Sequence, residues 1–116
     1  MTVLYFPVTE DPVEADIKGD LKSMQELVHG YIETVTLPDN LVLVCNDEGL
    51  LLRLPLNRHI LFGAYPVAGP FFVCRRRGDN LAGLTRDDIN NLRYRYGEPA
   101  KKSWSGGQIR NTYPDS

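Results

Sequence analysis

"LVLVCNDEGLLLRLPLNRH", residues 41–59, decides how the chain folds. Two apolar runs flank an acidic Asn-Asp-Glu-Gly segment, and the second run stops at Pro55. Residues 41–46 are β-branched and aliphatic, as a strand requires. "NDEG" supplies turn formers, with Gly49 at the place where a hairpin loop needs positive φ. "LLLRL" (50–54) then reads as the returning strand. The rival reading is a catalytic acidic loop, and it fails on chemistry. Asp47 and Glu48 point apart in a tight loop, and no nucleophile, base or metal ligand neighbours them in sequence. Pro55 ends the strand. Asn57 then predicts the N-cap of a short helix, "RHILF" (58–62), closed by Gly63.

Outward from this segment the same signals repeat. "TVLYFPV" (2–8) and "VEADI" (13–17) read as a hairpin whose second strand turns Glu14 and Asp16 to water. "GDLKSMQELVHG" reads as a helix capped by Asp20, with Leu21, Met24, Leu27 and Val28 on one face. Gly30 is its expected left-handed terminator. "YIETVTL" (31–37) is a strand and "PDN" its turn. "PFFVCRR" (70–76) is expected as the last strand. It puts Phe71, Val73 and Arg75 on one face and Phe72, Cys74 and Arg76 on the other, so it belongs at a sheet centre or an interface. "LTRDDINNLRYRYG" is a helix with Thr85 as cap and Asp88 in the capping-box position. Ile89, Leu92 and Tyr96 form its core stripe, and Arg86, Asn90 and Arg93 a different face. From Gly97 the chain is polar and rich in Gly, Pro and Ser.

These elements predict a single α+β domain over residues 1–96. Its small, mostly antiparallel sheet is built from hairpins, with one long and one or two shorter helices packed on it. Residues 97–116 are expected as an irregular tail. The 116 residues suffice for one core and contain no repeat or linker. No signal peptide or membrane span is expected, and Cys45 and Cys74 sit in apolar runs as packed thiols. The expected compartment is the cytoplasm of a bacterial host.

An ordered set of short motifs carries a family resemblance. Gln25, Glu26, Leu27 and Val28 end the first helix, and Tyr31, Ile32 and Glu33 open the next strand. Asn46, Glu48, Gly49 and Leu50 form the turn, and Leu54, Pro55 and Asn57 follow it. Together they resemble domain-of-unknown-function family 3846 over roughly residues 1–90. His29 and Asp47 depart from the usual glycine and glutamate. The resemblance implies a bacteriophage, plasmid or mobile-element setting and supplies no catalytic residue.

Charge gives the functional signal. The net charge is −2, yet residues 1–52 hold two lysines and ten acids, while residues 53–116 hold nine arginines, two lysines and five acids. Arginine grips phosphate or carboxylate through two parallel donors. Arg75, Arg76 and Arg77 end a strand, Arg58 follows Asn57, and Arg86, Arg93 and Arg95 share a helix with Tyr94 and Tyr96. Trp104 comes next. The candidate ligand-binding set is Asn57, Arg58, Arg75, Arg77, Arg93, Tyr94 and Trp104, whose guanidinium groups and rings suit a phosphate and a stacked base.

His29, Cys45, His59 and Cys74 lack the close pairs of a zinc site, so no metal is expected. "SWSGGQ" lacks the lysine and helix of a phosphate loop, and no cofactor is expected. The expectation is a non-enzymatic binding protein that sequesters an anionic small molecule of nucleotide type and so counters a host defence. A homodimer is one way to build its pocket. The alternative is an interaction module that docks on a host protein through a charged face. The net charge argues against a dedicated nucleic-acid binder.

Overall fold

The computed structural model describes residues 1–60 and 65–98, and the backbone of the two-residue strands Trp104–Ser105 and Gln108–Ile109. The order of elements is β1 (Thr2–Phe6), β2 (Val13–Asp16), α1 (Leu21–Val28), β3 (Ile32–Leu37), β4 (Leu41–Asn46), β5 (Leu56–Ile60), β6 (Tyr65–Ala68), β7 (Phe71–Arg77), β8 (Asn80–Ala82) and α2 (Arg86–Tyr96). An antiparallel sheet runs β2-β1-β7-β4-β3, and β8 pairs with the far end of β7. β5 and β6 form a separate hairpin. This is the α+β architecture with a hairpin-rich antiparallel sheet that the sequence predicts.

β4 and β7 are apolar on both faces because both faces are covered. On one side Val3, Val42, Val44, Phe72 and Cys74 pack under Met24 and Val28 of α1. On the other, Leu4, Phe6, Leu43 and Val73 meet Ile60 and Val67 of the β5–β6 hairpin and Ile89 and Leu92 of α2. Phe6 and Phe71 stack there with ring centroids 4.5 Å apart. β7 therefore occupies the central place that its two-faced pattern implied. Cys45 and Cys74 are free, buried thiols on opposite sides of the sheet.

Residues 50–54 are turns and coil, not a strand. β4 already has β3 on one edge and β7 on the other, so no edge remains for them to pair with. They close instead through Leu52 N–H to Glu48 O (2.8 Å) and Leu54 N–H to Gly49 O (3.0 Å), which leaves Leu50, Leu51 and Leu52 exposed. Gly49 serves close approach, not positive φ. A Cβ there would lie 2.6 Å from the Ala68 carbonyl oxygen. His29, not Gly30, takes the left-handed position at the end of α1 (φ 64°), while a Cβ on Gly30 would meet the Asn46 amide at 2.8 Å. That amide donates to Val28 O and His29 O and ties the helix end to β4.

Residues 58–62 are not a helix as far as the described residues reach. Leu56–Ile60 is a strand, and Gly63 lies outside the described residues. Asn57 caps nothing: its side-chain N–H groups donate to Phe6 O and Gly69 O, both at 2.8 Å. β7 is not the last strand, because β8 returns along it. Within the expected tail, Trp104–Ser105 and Gln108–Ile109 pair antiparallel as β9 and β10, and most of the remainder lies outside the described residues.

Arg58 is 1% exposed. Its Nε donates to Tyr96 O (2.8 Å), Nη2 to Glu10 O (2.7 Å) and Gly97 O (3.1 Å), and Nη1 to Asn57 Oδ1 (2.6 Å). Its guanidinium also lies over the Phe6 ring, 5.3 Å from the centroid. Burial lowers its pKa to about 10, which leaves it charged at neutral pH. Removing a buried charge from its acceptors strands them without donors. We expect Arg58→Met to destabilise the fold by about 3–5 kcal/mol in chemical denaturation. Arg58→Lys should recover only part of that, because an ammonium lacks the planar fork. A loss below ~1 kcal/mol in the Met variant would refute this role.

Candidate functional site: the cleft beside the second helix

A cleft of about 240 Å³ lies between the Pro38–Asn40 turn and α2. The turn is sharp because Asp39 and Asn40 both take left-handed φ (66° and 62°), which short Asx side chains tolerate. Leu37, Leu41 and Leu92 line the cleft with apolar surface. Asp88, Asn91, Arg95 and Tyr96 reach it from one face of α2, since positions 88, 91, 92, 95 and 96 follow helical spacing. Asp39 lines it from the turn and Arg75 from β7.

Arg75 and Asp88 form a two-pronged pair, Nε to Oδ2 at 2.8 Å and Nη2 to Oδ1 at 2.5 Å. Asp88 also accepts from Thr85 N–H (2.9 Å), and its own N–H donates to Thr85 Oγ1 (3.1 Å), completing the predicted capping box. The hydrogen bonds from Arg75 hold the Asp88 carboxyl at a pKa of about 2, against the opposing pull of burial. Two of the five guanidinium donors of Arg75 are engaged by Asp88. Arg95 makes no ion pair among the described residues.

The predicted binding residues fall in different places. Asn57 and Arg58 are inside the fold, holding backbone carbonyls. Arg75 reaches the cleft but is paired with Asp88. Arg77 is exposed at the end of β7. Arg93 and Tyr94 are exposed on α2, away from the cleft stripe, with Tyr94 92% exposed. The Trp104 side chain lies outside the described residues. Of the described side chains of that set, only Arg75 lines this cleft, and it is joined there by Arg95 and Tyr96. Asn91 and Asp39 were missed. Counting three, four and seven residues from Asp88 would have found Asn91 and Arg95, whereas the approach of the 38–40 turn is purely tertiary. The opposed charges of the two chain halves meet directly at Arg86 and Glu14, 2.7 Å apart.

A second recess, of about 250 Å³, is lined by Glu33, Cys45, Asp47 and Tyr65 among others. Tyr65 Oη donates to Glu33 Oε2 (3.0 Å). Burial, aided by Glu33 and Asp47, pushes the Cys45 thiol up to about 12, and burial with the Glu33 hydrogen bond pushes Tyr65 up to about 12. Burial raises Cys74 to about 11, although Arg76 opposes it. Neither thiol is a thiolate at neutral pH, so neither is an activated nucleophile. Among the described residues no cluster of three or more His, Cys, Asp or Glu could hold a metal ion, and no helix is long and apolar enough to cross a membrane.

A family model described as "Domain of unknown function (DUF3846)" matches residues 1–97, and the chain belongs to that family. No curated protein and no solved structure matches the chain.

Asp88 makes the stability of the fold pH-dependent. Its folded pKa lies below the unfolded carboxyl value of 3.8, so its contribution is complete above about pH 4 and fades as pH falls toward 2. We expect Asp88→Asn to cost about 2 kcal/mol at pH 6 in urea unfolding. The gap to the wild type should close on acidification to pH ~2. A gap that is constant with pH would show that the carboxylate charge is not what stabilises the helix start.

Proposed function

We propose that this protein is a non-enzymatic binding protein of a phage or mobile element that sequesters a small anionic ligand of nucleotide type. The observation that carries the proposal is the cleft between the 38–40 turn and α2, where Arg75 and Arg95 flank an amide, an aromatic residue and an apolar floor. In this reading Arg95 receives the phosphate and the Tyr96 side chain packs against a base. Asn91 and Asp39 pair with polar edges of the base, and Asp88 fixes Arg75 so that its remaining donors are pre-aimed. A volume of about 240 Å³ is slightly below the roughly 300–1,000 Å³ of ordinary ligand pockets. The cleft therefore suits one nucleotide unit, with the remainder of a larger ligand outside.

The test is a thermal-shift and calorimetric screen against mononucleotides, linear dinucleotides and cyclic nucleotides. At least one should raise the melting temperature of the wild type. Arg95→Ser should weaken that ligand about tenfold or more while leaving the melting temperature without ligand unchanged, since a hydrogen bond to a charged group contributes about 1.5–3 kcal/mol. Absence of any shift at saturating nucleotide sinks the proposal.

A second reading rests on α2, where Tyr94 is almost fully exposed and Arg86, Asn90 and Arg93 of the same helix are exposed too. An exposed aromatic on a helix that also exposes arginine suits docking on an acidic protein surface. In a pull-down from host lysate, Arg93→Glu would abolish capture under this reading and change nothing under the first.

A further inference from the structure

The two edges of the main sheet are built differently. β2 has four residues, with Glu14 and Asp16 exposed and Asp16 bound to the N-terminal ammonium at 2.9 Å. Short length and surface charge are the usual protections of an edge. β3 has six residues, "IETVTL", in unbroken register with β4 from Ile32↔Asn46 to Leu37↔Leu41. It has no bulge, no lysine and no proline, and four of its six residues are β-branched. Its one charge, Glu33, points to the β5–β6 side, where its carboxylate accepts from Tyr65. Among the described residues no strand pairs with the outer side of β3.

The direction of the free backbone groups follows from one hydrogen bond. Asp47 N–H donates to Tyr31 O at 2.8 Å. Hydrogen-bonded pairs alternate along an antiparallel ladder, so residues 31, 33, 35 and 37 bond to β4. The N–H and C=O groups of Ile32, Thr34 and Thr36 therefore point away from β4, toward the open side. We propose that this edge pairs antiparallel with β3 of a second copy of the chain, around a two-fold axis at Thr34, to make one continuous sheet through the dimer.

Self-complementarity selects that occupant and that register. An axis at Glu33 would set two carboxylates opposite each other. An axis at Val35 would bring Ile32 opposite Pro38, which has no N–H to donate. The axis at Thr34 uses all the outward groups, with Thr34 opposite Thr34 and Ile32 opposite Thr36, for about six main-chain hydrogen bonds. It sets Glu33 opposite Val35, so no like charges meet across the strands. It also brings Tyr31, 73% exposed in the single chain, beside Leu37 of the second copy.

Sedimentation velocity over a concentration series, combined with amide hydrogen exchange, tests the interface. The wild type should sediment as a dimer that dissociates on dilution. Protection of the Thr34 and Thr36 amides should rise with protein concentration. Thr34→Lys, at an exposed side chain that would face its own copy, should weaken the dimer at least tenfold and leave the melting temperature of the monomer unchanged. A monomer at every concentration overturns the proposal, as does a dimer indifferent to Thr34→Lys. Protection that does not depend on concentration also overturns it, because the chain itself would then cover the edge.

Discussion

A single buried guanidinium holds together segments that no sheet ladder connects. Arg58 lies on β5 yet reaches the carbonyls of Glu10, Tyr96 and Gly97, which belong to the chain after β1 and to the end of α2. Those carbonyls are part-buried, so losing a donor there costs at most about 1–3 kcal/mol each. The end of a helix leaves its last carbonyls unpaired and carries partial negative charge, so a cation there meets both needs at once. Among the described residues no carboxylate bonds the charge directly. Carbonyl dipoles, the face of Phe6 and the more distant field of Asp11 compensate it. Its neighbour Asn57 completes the arrangement by orienting Arg58 through Oδ1 while its own N–H groups take Phe6 O and Gly69 O.

This explains why the sequence around residues 50–60 was the hardest to read. Pattern rules recognise Asn before a polar run as a helix cap, and an Asn-Arg pair on a strand gives no local signal of being buried. The donors and acceptors that make burial tolerable come from residues up to about fifty positions away. "LLLRL" misled for a related reason. Its composition fits a strand, but a strand needs an open neighbour, and β7 had taken the only one beside β4. By contrast, the capping box at Thr85 and Asp88, the two-faced pattern of β7 and the Met24, Leu27 and Val28 stripe of α1 were legible, because local spacing determines them, although Leu21, expected on that stripe, is 55% exposed.

The candidate cleft was legible in composition more than in position. Arginine crowding in the second half pointed to Arg75 and α2, and the cleft does lie there. The charge count could not reveal that one arginine is consumed by the interior and another by a capping carboxylate. An arginine's role depends on which acceptors reach it first, and backbone carbonyls are invisible to a count of side-chain charge.

α2 itself buries little beyond Asp88, Ile89 and Leu92, so its apolar contacts alone would fix its position loosely. Polar ties at its two ends do the rest. At the start, Arg75 clamps Asp88 to β7 while Thr85 closes the capping box. At the end, Arg58 holds Tyr96 O and Gly97 O. The cleft residues Asn91 and Arg95 lie between these two anchors. A helix pinned at both ends presents intervening side chains on a rigid base, which lowers the ordering cost of any ligand that meets them. The arginines buried or paired in the scaffold thus bear on the proposed binding indirectly, by fixing the helix that carries Arg95.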